Sequence, residues 1–501
     1  MHVYENCRSA IRISYLGFAL IALGFLIQNE NVNIFYTFTS PFILMLAEGC
    51  LRLGKAIIHQ LPLIFMLCFV CKKANSGFPV VLALIGYYTY MTVMSLFANQ
   101  NLPSQCYSES FIFTMNNSLP FETGLLGAFL VGYATRFSFV HSRHRGYYSF
   151  LGFLNKDTAG IIYNVVYCGV LGFFMALVYP IGYGYIQDLI TTISTNLTDP
   201  RRIALYGLFD RLLSIMGVGR LIRYPFWFTS AGGSFSSSLT GQLVVGDVNI
   251  WAYIQDASST YSGCGRFITP YYVINMFLVP AIYLGMFIST SDKKERRQHF
   301  IPMLGIMALS IVAGNPLPME LSLLFTAPLL FLIYLGAVVL IFWVLPYFSI
   351  FLGFPMVGTD TLTALPGSFP DFIINLRNSR LSANLSGIAI VGIVAAVIML
   401  VLTYIYYNYL AYDLSNTGKK DTLVQNIIIA VGGLDNIISA DNSVLRVNLE
   451  LKDLELVSID KINEIKAKRI RETKTGIGIE LGTSSCLIAR AIRKKVKLNN
   501  R

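Results

Sequence analysis

Hydrophobic residues run along the first 415 positions in long stretches without Asp, Glu, Lys or Arg. Six such stretches cover residues 74–108, 158–187, 267–291, 298–319, 321–359 and 381–412. Weaker apolar runs occupy residues 13–29, 31–47, 56–71 and 119–135. Since a helix needs about 20 apolar residues to cross a bilayer, the pattern predicts roughly ten transmembrane helices. The stretch 321–359 is long enough for two passes or for a re-entrant pair.

The pattern changes after residue 421, where short apolar segments alternate with polar ones. It predicts helices over 422–431, 459–468 and 484–496, and strands over 443–451 and 476–481. The Gly432-Gly433 pair is typical of a helix C-terminus. These elements predict a small α/β sandwich of about 80 residues.

Charge divides the chain in the same place. Only 13% of the 501 residues are charged, against about 25% in an average soluble protein. Residues 416–501 nevertheless hold 16 of the 38 Lys and Arg and 10 of the 27 Asp and Glu. The sequence therefore predicts a membrane domain over 1–415, a linker over 416–421 and a soluble domain over 422–501, and it excludes a soluble enzyme over most of the length.

Positive charge indicates which side of the membrane the loops face. The run 293–297 (KKERR) and the Lys419-Lys420 pair mark cytoplasmic segments, which predicts a cytoplasmic C-terminal domain. The net charge of +11 is explained by this topology, so no nucleic-acid partner is expected. The Cys68/Cys71 pair has no further Cys or His nearby to complete a metal site, and we expect no metal and no cofactor.

Ionisable residues inside apolar segments are costly and are candidates for function. Asp210, Arg211, Arg220, Arg223 and Glu320 are of this kind. Asp210 and Arg211 are adjacent, so we expect them to point to different sides of a helix and not to pair. The helical segment 201–216 that carries them is suited either to the membrane interface or to the lining of a cavity.

Glu320 follows a backbone break. Pro316 and Pro318 prevent a continuous helix there. Interrupted backbone at membrane depth is tolerated only where protein or a water-filled cavity satisfies it. Together with the carboxylate, this break predicts a binding site for a polar solute.

Several motifs resemble one known family. The chain resembles the glucose-superfamily enzyme II permeases of the bacterial phosphoenolpyruvate-dependent sugar phosphotransferase system (PTS), in the form of a membrane IIC domain fused to a cytoplasmic IIB domain. The stretches that carry the resemblance are LPLIF at 61–65, TGLLG at 123–127, FLGF at 150–153, LYGLFDR at 205–211, YPFW at 224–227, GNPLPMELSLLFTAP at 314–328 and VGG at 431–433.

The resemblance implies a homodimer in the bacterial cytoplasmic membrane that binds a sugar near the bilayer middle. It also implies that a cysteine of the IIB domain receives a phosphoryl group from the histidine phosphocarrier protein by way of a IIA protein. The IIB domain then passes this phosphoryl group to the sugar. The candidate substrate-binding residues by this reading are Lys156, Arg211, Arg220, Asn315 and Glu320.

The sequence departs from the family at its chemical positions. The Glu of the family's Gly-Ile-Thr-Glu-Pro motif is Leu317 here, although Pro318 and Glu320 are kept. The two histidines of the Gly-Leu-His-His motif are replaced by Gly219 and Arg220. The phosphoacceptor Cys of the Cys-x-Thr-Arg motif is replaced by Ser443.

These losses remove the groups that phosphoryl transfer needs. A serine hydroxyl is a far weaker nucleophile than a thiolate unless a base activates it, and residues 300–501 contain no His. Cys486, the one cysteine of the tail, lies in the last predicted helix, and we expect it to be remote from the phosphoacceptor position. Ser443 is therefore the candidate catalytic position and is expected to be inactive.

The sequence thus favours a sugar permease that does not phosphorylate its solute through its own IIB-like domain. Two alternatives remain open. One is a membrane sensor or regulator that does not transport, and the other is a IIC subunit served by a separate IIB protein.

Overall fold

The computed structural model describes most of the chain. The described residues are 2–28, 40–71, 77–108, 118–144, 156–236, 241, 243–257, 264–353, 367–376, 382–410, 420–465, 467, 469–473 and 475–499. Residues 416–419 of the predicted linker and the whole FLGF stretch at 150–153 lie outside the described residues.

In the part before residue 411, the regular elements of the described residues are helices and one short hairpin. Its helices are α1 (His2–Gln28), α2 (Pro41–His59), α3 (Leu61–Cys71), α4 (Phe78–Phe97), α5 (Gly124–His144), α6 (Lys156–Ser194), α7 (Pro200–Ile215), α8 (Arg220–Phe228), α9 (Asp247–Ala257), α10 (Thr269–Val273), α11 (Val279–Ser289), α12 (Lys293–Ala313), α13 (Leu317–Thr326), α14 (Pro328–Tyr347), α15 (Phe369–Leu376) and α16 (Ser382–Ile405). The hairpin pairs β1 (Ser234–Ser236) with β2 (Leu243–Val245).

Six segments of the described residues are long and apolar enough to cross a membrane. They are Ser9–Gln28, Phe78–Phe97, Lys156–Ser194, Thr269–Ser289, Pro328–Tyr347 and Asn384–Leu410. A seventh candidate is the pair α2 and α3, which are bent by 56° at Gln60. The membrane character of this part is confirmed in this coarse form, whereas the count of ten passes stays a prediction.

One of the predicted stretches had two possible forms. Within its described residues, the stretch 321–359 holds α14 and most of the ten-residue α13 rather than two full passes, and the re-entrant pair stays a prediction. The stretch 158–187 lies within the long helix α6, which continues through Pro180 to Ser194.

The break before Glu320 has a local cause. Helix α12 ends at Gly314, whose φ of 62° is the left-handed conformation that glycine adopts readily. The side-chain oxygen of Asn315 then accepts a hydrogen bond from the backbone N–H of Leu317 (2.9 Å). Because Pro318 lacks an N–H and lies in the first turn of α13, it costs the new helix no hydrogen bond. Glu320 is thereby placed in the first turn of α13.

A close approach sets the position of α7. A Cβ built on Gly207 would lie 2.4 Å from the ring of Phe342 on α14, so only glycine lets these two helices pack at this distance. The inward side of α7 buries Tyr206, Asp210 and Arg211.

The residues after 419 have a hydrophobic core of their own. Helices α17 (Lys420–Ala430), α18 (Ile459–Glu464) and α19 (Ser485–Asn499) accompany a four-stranded antiparallel sheet in the order β3-β4-β6-β5. The strands are β3 (Ile437–Asn442), β4 (Arg446–Leu451), β5 (Ile470–Thr473) and β6 (Gly476–Glu480). The core gathers apolar residues from these helices and strands, among them Val424, Ile427, Val447, Leu449, Ile477, Ile479, Ile488 and Ile492.

The predicted order of elements in this tail is largely seen, with changed bounds and two additional strands. The strand expected over 443–451 begins only at Arg446, and Ser443 lies in the turn that joins β3 to β4. Strands β3 and β5 were not predicted. The first helix begins at Lys420, two residues before the expected start.

Candidate functional site

A cavity of about 330 Å³ lies among the membrane helices, and we call it the central cavity. It is bounded by α1, the α2–α3 junction, α7, the start of α8 and the break before α13. The residues that line it are Phe18, Ile58, His59, Leu61, Pro62, Gln105, Tyr107, Glu122, Leu125, Arg211, Ser214, Ile215, Gly217, Gly219, Arg220, Arg223, Asn315, Leu317 and Glu320.

The structure brings four of the five predicted substrate-binding residues to this cavity. Arg211 and Arg220 come from α7 and α8, and Asn315 and Glu320 come from the break and α13. Segment 201–216 therefore lines a cavity. This outcome favours the cavity lining over the membrane interface, the two locations that its sequence left open. Lys156 is not among the lining residues, because it is the exposed first residue of α6.

Two adjacent residues of α7 pair with each other. The carboxylate oxygen Oδ2 of Asp210 accepts hydrogen bonds from Arg211 Nε (2.9 Å) and Nη2 (2.5 Å). The expectation that they would not pair is wrong, because the long arginine side chain folds back along the helix. Asp210 and Arg211 are 0% and 2% exposed, so this pair is shielded from water.

Asp210 also forms an ion pair with Arg223 on α8. Its Oδ1 accepts from Arg223 Nε (2.5 Å), and its Oδ2 also accepts from the hydroxyl of Tyr271 (2.6 Å). Both guanidinium groups lie over the Tyr271 ring, with Arg211 4.8 Å and Arg223 5.7 Å from the centroid. Such cation–π contacts add favourable interactions for cations held away from water.

Glu320 completes the arrangement from α13. Its Oε1 accepts from the Tyr334 hydroxyl (2.7 Å) and lies 3.5 Å from Arg211 Nη1. Its Oε2 is buried and has no hydrogen-bond partner within the described residues. Asp210, Arg211, Arg223 and Glu320 form what we call the charge cluster, in which two carboxylates balance two guanidinium groups.

Sequence reasoning missed five polar residues of the cavity: His59, Gln105, Tyr107, Glu122 and Ser214. Glu122 begins the loop to α5, and its Oε1 accepts from the backbone N–H of Gly124 (3.1 Å). Its position at the start of the apolar run 119–135 is a signal of the same kind as that of Glu320. His59 and Gln105 carry no comparable signal, because they lie at a helix end and in a loop.

Ser443, the candidate catalytic position, lies in the tail. The backbone N–H of Ser443 donates to the carbonyl of Arg446 (2.9 Å), which closes the β3–β4 turn. The expectation that Cys486 would be remote is wrong, since its Sγ lies 3.7 Å from the Ser443 carbonyl oxygen. The fold packs α19 against β3, which brings the two together.

Proximity does not make Cys486 a nucleophile. The residue is 3% exposed, and burial raises the pKa of its thiol to about 12, although a hydrogen bond from Asn442 lowers it. At pH 8 a thiol with that pKa holds about one thiolate in ten thousand molecules. Reactive cysteines have the opposite environment.

A scan of the sequence against models of known protein families gives no match.

The first prediction concerns the charge cluster. Asp210→Asn should lower the free energy of unfolding by about 3 kcal/mol, because it leaves the buried Arg211 and the partly buried Arg223 without their shared carboxylate. Thermal unfolding of the purified protein in detergent measures this as a lower midpoint. Asp188→Asn, at an exposed position of α6, is the matched control and should leave the midpoint unchanged. Equal midpoints for the two variants would contradict the role given to Asp210.

The second prediction concerns Cys486. N-ethylmaleimide at pH 8 should modify this thiol at least roughly a hundredfold more slowly in the folded protein than after unfolding, since it is both buried and protonated. Mass spectrometry of the peptide around residue 486 gives the rate. A Glu455→Cys variant places a thiol at an exposed position of the same tail, and it should react equally fast in both states. Rapid labelling of native Cys486 would show that the site is open.

Proposed function

We propose that this chain is a PTS-type permease that binds a carbohydrate in the central cavity and moves it across the bacterial cytoplasmic membrane without phosphorylating it through its own tail. The observation that carries the proposal is the buried Glu320 Oε2, which lacks a partner within the described residues and borders a cavity of about 330 Å³. A buried carboxylate oxygen left without a donor is costly, and a solute hydroxyl would satisfy it.

The charges around the cavity favour a neutral, hydroxylated solute. Within the charge cluster, Arg211 is held by Asp210 and Glu320, and Arg223 is held by Asp210. A charged solute would have to compete with these short contacts, whereas a hydroxyl donates to Glu320 without breaking them. The cavity volume lies at the lower end of the range of about 300–1,000 Å³ typical of small-molecule sites.

The aligned family positions argue against phosphoryl transfer in this chain. Leu317 lines the cavity where the family has a carboxylate, and a Leu side chain accepts no proton from a sugar hydroxyl. Ser443 has no His within residues 300–501 to activate it. The tail contacts the start of α12, and this 21-residue helix, about 31 Å long, separates that contact from the cavity.

The proposal includes finer features that rest on the resemblance. They are about ten membrane passes, a IIB-type fold for residues 422–501, a cytoplasmic tail and a homodimer. A IIA protein and the histidine phosphocarrier protein are then potential partners of the tail. The alternative in which a separate IIB protein phosphorylates the sugar is compatible with the same cavity.

Binding of radiolabelled hexoses and hexitols to the protein in nanodiscs tests the proposal. Glu320→Gln should weaken the binding of a solute found in this panel by about tenfold or more, because the amide is a weaker acceptor than a carboxylate. Lys156→Ala is the control, and its affinity should equal that of the unaltered protein. The proposal is wrong if no sugar of the panel binds, or if both variants bind as the unaltered protein does.

Phosphoryl transfer tests the second part of the proposal. The purified full-length chain is incubated with radiolabelled phosphoenolpyruvate, enzyme I, the histidine phosphocarrier protein and a glucose-type IIA. We expect no label on the chain, because Ser443 lacks an activating base and Cys486 is buried and protonated. Label that disappears in Ser443→Ala would show instead that the serine accepts the phosphoryl group.

A further inference from the structure

One contact between the tail and the membrane part is made by the segment between α11 and α12. A second is made by α19, whose Arg490 lies 4.9 Å from the ring centroid of Tyr409. The carbonyl oxygen of Asn442 accepts from the backbone N–H groups of Ser291 (3.0 Å) and Asp292 (3.1 Å). The side-chain nitrogen of Asn442 donates to the carbonyl of Ser289 (2.9 Å). Arg493 on α19 donates to Asn442 Oδ1 (2.7 Å) and to Ser291 Oγ (3.1 Å). A single buried asparagine thus links the edge of the sheet to the end of α11.

Charged side chains hold the start of α12 to the same sheet. Arg446 Nη1 lies 2.8 Å from Glu295 Oε1, and these side chains are 25% and 13% exposed. Asn448 donates to Asp292 Oδ2 (2.6 Å). The other oxygen of Asp292 caps α12 by accepting from the backbone N–H groups of Lys294 (2.8 Å) and Glu295 (3.1 Å). The tail therefore fixes the residue that begins the helix.

The far end of α12 leads directly into the central cavity. Near that end, Ser310 Oγ donates to the carbonyl of Asn275 (3.0 Å), and Asn275 Nδ2 donates to the carbonyl of Gly314 (2.7 Å). The next residue is Asn315, which lines the cavity. Helix α12 thus runs without a break from Lys293 through Pro302 to Ala313, with the tail at its first turn and the central cavity just beyond its last.

We propose that the tail is a latch: its contact with residues 289–295 holds α12 in place and thereby fixes the wall of the central cavity formed by residues 314–320. Coupling between two places in a protein requires an element whose arrangement both of them influence, and α12 meets that condition. Release of the tail would free the first turn of α12 and loosen the backbone that positions Asn315 and Glu320. The proposal does not depend on which solute the cavity binds.

The latch differs from a phosphotransfer arrangement. A domain that delivers phosphoryl groups has to present its acceptor position to a donor and then to the solute. Here Asn442, next to Ser443, is 2% exposed and is hydrogen-bonded to the α11–α12 segment, and Cys486 Sγ lies 3.7 Å from the Ser289 carbonyl. The same surface is therefore used for attachment.

Hydrogen exchange of the full-length protein in detergent, followed by mass spectrometry, tests the latch without any ligand. Glu295→Arg and Arg446→Glu each place like charges at the contact, and like charges facing each other across an interface are strongly unfavourable. Each variant should raise exchange about tenfold in the 287–295 segment, whose Ser291 and Asp292 amides donate to Asn442. Exchange should rise by a similar factor in the 309–320 segment at the cavity.

The double variant that carries both changes reverses the pair and should return exchange in both segments close to that of the unaltered protein. Arg471→Glu is the control, because it reverses an exposed charge on the same sheet. It should change neither segment. Faster exchange in 287–295 with unchanged exchange in 309–320 overturns the coupling. Unchanged exchange in 287–295 in both single variants overturns the latch itself. Neither result bears on whether the cavity binds a carbohydrate.

Discussion

The balanced charge cluster is the constraint on which the membrane part depends. Asp210, Arg211 and Glu320 are buried together with the partly buried Arg223, where an unpaired charge costs several kcal/mol. Asp210 and Arg211 share α7, and their other partners lie on separate helices. The cluster and its two tyrosines connect α7, α8, α10, α13 and α14 through Asp210, Arg211, Arg223, Tyr271, Glu320 and Tyr334. Such a network specifies one arrangement of helices more effectively than it adds stability.

The cluster also explains why the chain is broken before α13. A continuous helix through residues 313–317 would retain the backbone hydrogen bonds of α12. The observed break at Gly314 and Asn315 instead begins a new helix with Glu320 in its first turn, where the helix dipole favours a carboxylate. The same break forms part of the wall of the central cavity and ends α12 beside it. One local feature therefore serves both the charge balance and the cavity.

Much of the cavity was predictable from the sequence, because intramembrane charges and paired prolines are rare and need a reason. Arg211, Arg220 and Glu320 were candidates on that ground, Asn315 was a candidate from the resemblance, and the four meet at one cavity. The pairing of Asp210 with Arg211 was not predictable from helix geometry alone, since it depends on the length and flexibility of the arginine side chain.

Contacts between segments distant in the sequence were the part that the sequence could not show. Ser443 and Cys486 are 43 residues apart and meet because a sheet and a helix pack together. Strand β3 has the sequence IISADN, in which three of the six residues are polar. Its last residue, Asn442, faces the α11–α12 segment rather than solvent. A polar residue that is buried at an attachment surface interrupts the alternation by which strands are recognised.

The motif positions that match the proposed family differ in burial from the positions that depart from it. Arg211 and Glu320, which match the proposed family, are 2% and 0% exposed and bind each other, so the loss of either would leave a buried charge unpaired. Leu317 and Arg220, which depart from it, are only half-buried and border the cavity. Their replacement changes the chemistry of the cavity without disturbing the charge cluster. A chain released from phosphoryl transfer would change at the second kind of position and keep the first, because only the first kind holds the helices together.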